Sequence, residues 1–339
     1  MKKLKVVQIG TKHDHARPTF QTLRDLSEEY EVLGWYEPDE AFRETAESRE
    51  QFVGAHEFLT LDEVWQIDDL DAVIVETEES LLTEYSLLAA EHGLHVHMDK
   101  PGSPEILDFT KLLNVCREKK LAFQIGYMYR YNPAVKRALK LLREGKLGEI
   151  TSVEANMGCL HNKEKREWLG QYKGGMLYFL GCHLVDLVYL FQGQPEKVLP
   201  LSKPTGLDGV EAEDYGAAAF AYPNGVSFVR TSAAEVNGFN RRQLVIVGSK
   251  ATLEIYPLER HAGEADILDC TMKESYVEDA CQTGWRECGK TTKYPPFHRY
   301  KDMMIDYAAM VRGEKENLFT LDYELAVQKL VLDACGVEY

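Results

Sequence analysis

The chain has 339 residues, 45% of them hydrophobic and 28% charged, with a formal net charge of −16. That length exceeds the roughly 100–200 residues that one core usually organises, so two domains are expected, and the ordinary composition excludes a disordered chain. The acidic balance repels phosphate backbones and anionic headgroups, which excludes nucleic acid and membrane surfaces as expected partners.

No stretch approaches the roughly 18–20 apolar residues that span a bilayer. The basic start Met1-Lys2-Lys3 precedes an apolar run at Val6-Val7 that is too short for a secretory signal of about 7–15 residues. Seven scattered cysteines, at 116, 159, 182, 270, 281, 288 and 335, show no Cys-x-x-Cys spacing. Reduced thiols and a cytoplasmic location are expected, with no metal or disulfide framework.

In chain order, Leu4-Val7 with Ile9, Val32-Tyr36, Ala72-Val75, His95-Met98 and Ala122-Ile125 read as short buried strands. Helical patterns at Ala16-Tyr30, Phe42-Phe52, Leu61-Gln66, Thr83-His92 and Ile106-Lys119 alternate with them. Strict alternation of strand and helix implies right-handed crossovers and a parallel sheet. After Gly126 the pattern changes. Asn132-Pro133 reads as an N-cap with proline at the first helical position, opening a helix to Arg143. Strands then dominate: Ile150-Met157 alternates with period two, Gly216-Tyr222 and Val226-Ser232 flank Pro223-Asn224-Gly225, and Gln243-Val247 and Thr252-Tyr256 flank Gly248-Ser249-Lys250. An apolar helix over Gly175-Phe191 interrupts them, and helices near His298-Arg312 and Leu321-Ala334 close the chain.

The expected fold is α/β: an N-terminal doubly wound parallel sheet of Rossmann type over residues 1–125, then an α+β domain over 126–339 with an open, mainly antiparallel sheet. The outer face of that sheet would otherwise expose alternating Val, Phe, Leu and Ile side chains, so a homodimer or homotetramer through it is expected.

Four places carry candidate chemistry. Gly10 ends the first strand where a Rossmann fold turns around a pyrophosphate, although only the first glycine of Gly-x-Gly-x-x-Gly is present and Lys12 comes next in the pattern. Glu37 ends the second strand, where a carboxylate can accept from the adenosine ribose and repel a 2′-phosphate, favouring NAD; Arg43 nearby leaves room for NADP. A solvated turn carboxylate would look the same.

Asp99-Lys100-Pro101 follows the fourth predicted strand, outside the carboxyl end where doubly wound sheets bind ligands, so Lys100 can donate to a carbonyl or nascent alkoxide. A surface lysine at a strand end is the alternative. His183 and Asp186 lie at i and i+3 on one helix face, where the carboxylate could orient the imidazole, or where His183 could be a core histidine. His13, His15, His95 and His97 lack the spacing of established zinc sites, so no metal is expected.

Two of these segments together resemble the Gfo/Idh/MocA family, named for glucose-fructose oxidoreductase and inositol dehydrogenase. Its Glu-Lys-Pro after the fourth strand is similar to Asp99-Lys100-Pro101. Its second motif, roughly Gly-Gly-x-Leu-x-Asp-x-Gly-x-His-x-x-Asp, is matched in register by Gly174, Gly175, Leu177, Gly181, His183 and Asp186. The segments Gly145-Ile150 and Gly313-Glu314 also resemble the family. The resemblance implies that Lys100 polarises the substrate oxygen and His183 exchanges its proton. It implies that Gly10, Thr11, Glu37, Thr77, Asp99 and Lys100 line the cofactor, with Trp168 similar to an aromatic near the nicotinamide. Phe179 stands where the motif has aspartate, and Glu78 where proline usually follows the threonine.

The implied function is hydride transfer between NAD, or NADP, and a secondary alcohol of a sugar, cyclitol or derivative. The alternative is a cofactor- or sugar-binding sensor or assembly protein without turnover.

Overall fold

The computed structural model describes residues 2–46, 49–263, 266–279 and 288–339. Cys281 and part of the expected helix Phe42-Phe52 lie outside the described residues. The chain divides into two compact units, Met1–Tyr127 with Tyr300–Gln328, and Met128–Arg299 with Lys329–Tyr339.

The first unit holds strands β1 (Leu4–Ile9), β2 (Tyr30–Tyr36), β3 (Glu57–Phe58), β4 (Ala72–Val75), β5 (His95–Met98) and β6 (Phe123–Ile125). They pair in the order β3-β2-β1-β4-β5-β6, all parallel, the doubly wound order whose strand ends form a ligand crevice. Val73, Ile74, Val75, Val96 and Met98 are fully buried, because helices cover both faces of a parallel sheet. The helix Leu61–Trp65 opens with a capping box between Thr60 and Glu63. The helix expected from Ala16 to Tyr30 stops at Asp25, and Leu26 to Glu29 form a turn into β2.

The sequence placed residues 126–339 in one domain, but Tyr300–Gln328 groups with the first unit. Tyr30 Oη donates to the Met304 carbonyl at 2.5 Å, Gln124 Nε2 to that of Met303 at 3.3 Å, and Asn317 Nδ2 to that of Phe123 at 2.9 Å. Tyr307 is fully buried against the His97 ring, centroids 5.6 Å apart. These long-range contacts have no local sequence signal.

The second unit contains β7 (Ile150–Gly158), β8 (Lys197–Pro200), β9 (Tyr215–Tyr222), β10 (Gly225–Ser232), β11 (Gln243–Gly248), β12 (Ala251–Ile255), β13 (Arg260–His261), β14 (Ile267–Asp269), β15 (Thr271–Tyr276), β16 (Lys290–Lys293) and β17 (Phe297–His298). Eight form one sheet in the order β16-β15-β12-β11-β7-β10-β9-β8, and β13-β14-β17 form a second. All pairs in this unit are antiparallel except β7 with β10, whose long connection imposes no hairpin reversal. Val153, Val229, Phe220, Leu244, Ile246 and Leu253 point to the buried face, where β7 packs on the helix Cys182–Gln192. On the other face Val226 and Phe228 are 40% and 50% exposed.

The Tyr307→Ala variant should lose about 3–5 kcal/mol of unfolding free energy, the usual cost of truncating a buried aromatic. Chemical denaturation checks this, and a loss below about 1 kcal/mol would show that Tyr300–Gln328 contributes little to the first unit.

Candidate active site

The turn after β1 is shaped by close backbone approach. Gly10 has φ +93°, and a Cβ there would lie 2.3 Å from the Thr77 nitrogen at the end of β4. Only glycine allows that contact. Glu37, ending β2, is 1% exposed and turns its carboxylate into the same turn. Its Oε2 accepts from the Thr11 amide at 2.6 Å and the Thr11 hydroxyl at 2.8 Å, and its Oε1 from the Asp39 amide at 3.0 Å. That uses three of a carboxylate's roughly four acceptor positions.

The helix Ala16–Asp25 starts with no side-chain cap and no acidic residue in its first turn, so its N-terminal partial charge is not offset there. The Gly10 cradle, the helix start and Glu37 fit a dinucleotide: the first two would face its phosphates and Glu37 its adenosine ribose. Arg43, the residue that left room for NADP, engages Glu57 at 3.8 Å and Glu40 at 4.0 Å instead. Arg49 donates to the Thr11 carbonyl at 3.2 Å and stacks over Phe42.

Beneath this turn lies a buried polar cluster that the sequence did not foresee. Lys100, which leaves β5 through a cis peptide to Pro101, is 2% exposed. His13 from the turn, Glu76 and Glu79 after β4, and Asp99 after β5 are likewise buried. His13 Nδ1 lies 3.2 Å from Asp99 Oδ2 and 3.4 Å from Glu76 Oε2, and its Nε2 lies 3.2 Å from the Lys100 carbonyl and 3.7 Å from Glu79 Oε1. His15 Nδ1 lies 2.9 Å from the same Asp99 oxygen.

The proton affinities diverge accordingly. Burial opposes protonation of His13, but Asp99 and Glu76 outweigh it and push the imidazole up to about 10. Burial, with Lys100 and His13 nearby, pushes His15 down to about 4. Burial and the Asp99 charge push Glu76 up to about 8. Asp99, despite burial, is held well below the usual carboxylate range by His13 and His15.

Thus Gly10, Thr11, Glu37, Thr77, Asp99 and Lys100 all lie at strand ends of the first unit. His183 and Trp168 belong to the second. His183 is buried near the start of the helix Cys182–Gln192, with the Tyr129 ring edge-on at 4.9 Å. The expected His183–Asp186 pairing is corrected by the structure: Asp186 accepts from Arg130 Nε at 3.0 Å and from its Nη2 at 2.6 Å. A bidentate guanidinium matches a buried carboxylate better than an imidazole does.

The apolar helix expected over Gly175-Phe191 would put Phe179 one α-helical turn before His183. Leu177–Gly181 is instead a π-helical turn, which breaks the i, i+4 alignment. The Phe179 ring packs edge-on against Trp168 at 5.5 Å, and Lys165 Nζ sits 3.8 Å from the Trp168 centroid and 4.4 Å from that of Phe179. Glu259 is buried with Arg242, Arg299 and the Tyr129 hydroxyl as partners. Burial works against its charge, but the two guanidinium groups hold its carboxyl below the usual range.

Residues 4–127 match the family model described as "Oxidoreductase family, NAD-binding Rossmann fold", and residues 135–254 match the GFO/IDH/MocA C-terminal domain. The chain belongs to the Gfo/Idh/MocA oxidoreductase family. Its first unit therefore carries the family's NAD-binding Rossmann domain, as the Gly10 turn and strand order indicate. An uncharacterised oxidoreductase of Streptococcus pneumoniae is 30% identical over 50% of this chain and 45% of its own. D-xylose 1-dehydrogenase (NADP(+)) 2 of Haloferax volcanii is 29% identical over 49% of this chain and 52% of its own. The match thus spans about half the length of these curated relatives. Aldose-aldose oxidoreductase of Caulobacter crescentus shares the fold, with TM-score 0.78 at 18% identity over 99% of this chain and 98% of that one. Among the described residues, no helix is long and apolar enough to cross a membrane.

The Glu259 cluster has a pH signature. Because the folded carboxyl lies below its ordinary value of 4.5, the stability it contributes is complete above that value and is lost as pH falls through the folded one. The melting-temperature gap between wild type and Glu259→Gln should therefore narrow below pH 4.5. A gap that stays constant down to pH 3, about where ordinary carboxylates are already protonated, contradicts this.

Proposed function

We propose that the protein transfers a hydride between a nicotinamide dinucleotide and a secondary alcohol of a sugar, cyclitol or derivative. The observation that carries the reading is Lys100: a buried ammonium at the carboxyl end of a strand, next to the turn that fits a dinucleotide. Such a group earns burial by holding an oxygen that gains negative charge.

In the oxidative direction the carbinol carbon loses hydride, the hydroxyl loses a proton, and a carbonyl remains. Bound nicotinamide supplies the hydride acceptor. Lys100 donates a hydrogen bond to the reacting oxygen and favours its alkoxide character. His183 receives the hydroxyl proton as general base and returns it in the reductive direction. Arg130 takes Asp186, so the imidazole is positioned by Tyr129 and its helix rather than by that carboxylate. The sugar class is supported by the name of the Haloferax volcanii relative. A relative from Mediterraneibacter gnavus, 31% identical, is named a 2,7-anhydro-N-acetylneuraminate hydratase.

Calorimetry should show NAD bound more tightly than NADP, because Glu37 faces the turn and Arg43 is turned to Glu57. The opposite preference removes Glu37 from that role. In a screen of sugars and polyols followed by reduced-nicotinamide absorbance, His183→Asn should lower turnover by about 10²–10⁴ while NAD affinity stays within a few-fold, and Lys100→Met should be at least as damaging to turnover. Wild-type turnover in both variants would overturn the mechanism; NAD binding with no redox substrate would favour the sensor reading.

A further inference from the structure

The polar cluster under the first turn holds more buried carboxylates than the proposed reaction uses. Glu76, Glu79 and Asp99 are at most 4% exposed, and Lys100 and His13 are buried with them. Metal ligation takes neutral imidazoles and ionised carboxylates, so a divalent cation here would stand in place of the protons these groups share.

The ligand geometry is suited to such an ion. Atoms of His13, His15 and Asp99 able to ligate a metal lie within 4.8 Å of one another. A tetrahedral ion with bonds of about 2.0–2.2 Å places neighbouring ligand atoms roughly 3.3–3.6 Å apart. Here the separations are 3.2 Å from His13 Nδ1 to Asp99 Oδ2, 3.4 Å from His13 Nδ1 to Glu76 Oε2, and 2.9 Å from His15 Nδ1 to Asp99 Oδ2. Neither oxygen of Glu76 has a hydrogen-bond partner among the described residues, although the side chain is fully buried. It is aimed at the cluster and supplies the fourth ligand.

The far side of His13 completes the pattern. Its Nε2 faces the Lys100 carbonyl at 3.2 Å and Glu79 Oε1 at 3.7 Å, the outer-shell acceptors that hold a ligating imidazole in one tautomer. The His15 amide lies 3.1 Å from His13 Nδ1, and ligation displaces that contact. The His15 side chain is 15% exposed and gives an ion its way in.

We propose that His13, His15, Asp99 and Glu76 bind one divalent transition-metal cation of the zinc class. Two imidazoles with two carboxylates favour such an ion over magnesium, which prefers six oxygen ligands. Spacing alone pointed away from a metal, since His13 and His15 sit on one turn; the other two ligands arrive from the ends of β4 and β5.

The test uses the full-length protein stripped of metal and titrated with zinc by calorimetry, then with cobalt(II) under visible spectroscopy. One equivalent of zinc should bind, at least ten-fold more weakly to His15→Ala and to Glu76→Gln, with no matching uptake of magnesium. Cobalt should give the intense visible bands of a four-coordinate ion without sulfur charge transfer. Equal zinc affinity in wild type and variants overturns the site. So does a thiolate band, which would assign the binding to cysteines, or the weak spectrum of six-coordinate cobalt. The cobalt spectrum is read on wild type, so it decides the matter even if a variant fails to fold.

Discussion

Charge buried at the ends of adjacent strands sets the terms for the first unit. Glu76 leaves β4 and Asp99 leaves β5, neighbours in the sheet, and neither carboxylate reaches solvent. Two carboxylates so placed cannot both ionise without cost, so Glu76 is pushed up to about 8 and a positive group must stand beside Asp99. His13 does this from the turn after β1. A residue in that turn which must reach into the cluster cannot be the glycine of a plain phosphate turn. The glycine pattern therefore survives only at Gly10, where the Thr77 backbone leaves no space for a Cβ.

The same constraint organises the second unit with different partners. Asp186 is answered by Arg130, Glu259 by Arg242 and Arg299, and Asp214 by Arg166. Arg130 spans both oxygens of Asp186, while Arg242 and Arg299 take one oxygen each of Glu259. Removing one member of such a pair leaves the other buried and bare, so these pairs specify the arrangement more than they add net stability. His183 is buried among them, with the Tyr129 ring edge-on to it.

Much of this was legible in the sequence where local pattern decides. Ala72–Val75 and His95–Met98 match the expected strands to the residue, because a fully buried strand of a parallel sheet is a short apolar run between turns. Asn132-Pro133 announced its helix in the same way. Contacts made over long separations were not legible. The return of Tyr300–Gln328 depends on partners such as Tyr30 and Gln124, and Arg130 is 56 residues from Asp186. The π turn at Leu177–Gly181 escaped for a different reason: one residue's change of register leaves the apolar pattern intact while rotating each side chain before it. In the site, Lys100 and Glu37 could be found from their place at strand ends. His13 could not, since its partners come from two other segments, after β4 and after β5.

Phe179 shows how such a register change alters chemistry. An aspartate there would meet Lys165 as an ion pair and spend the ammonium's hydrogen bonds on it. A phenyl ring attracts the same cation through its face rather than through a hydrogen bond. Trp168 holds the ammonium from another side at 3.8 Å, so two rings fix its position. The replacement of acid by ring thus keeps a cation in place while changing the local charge by one unit toward positive.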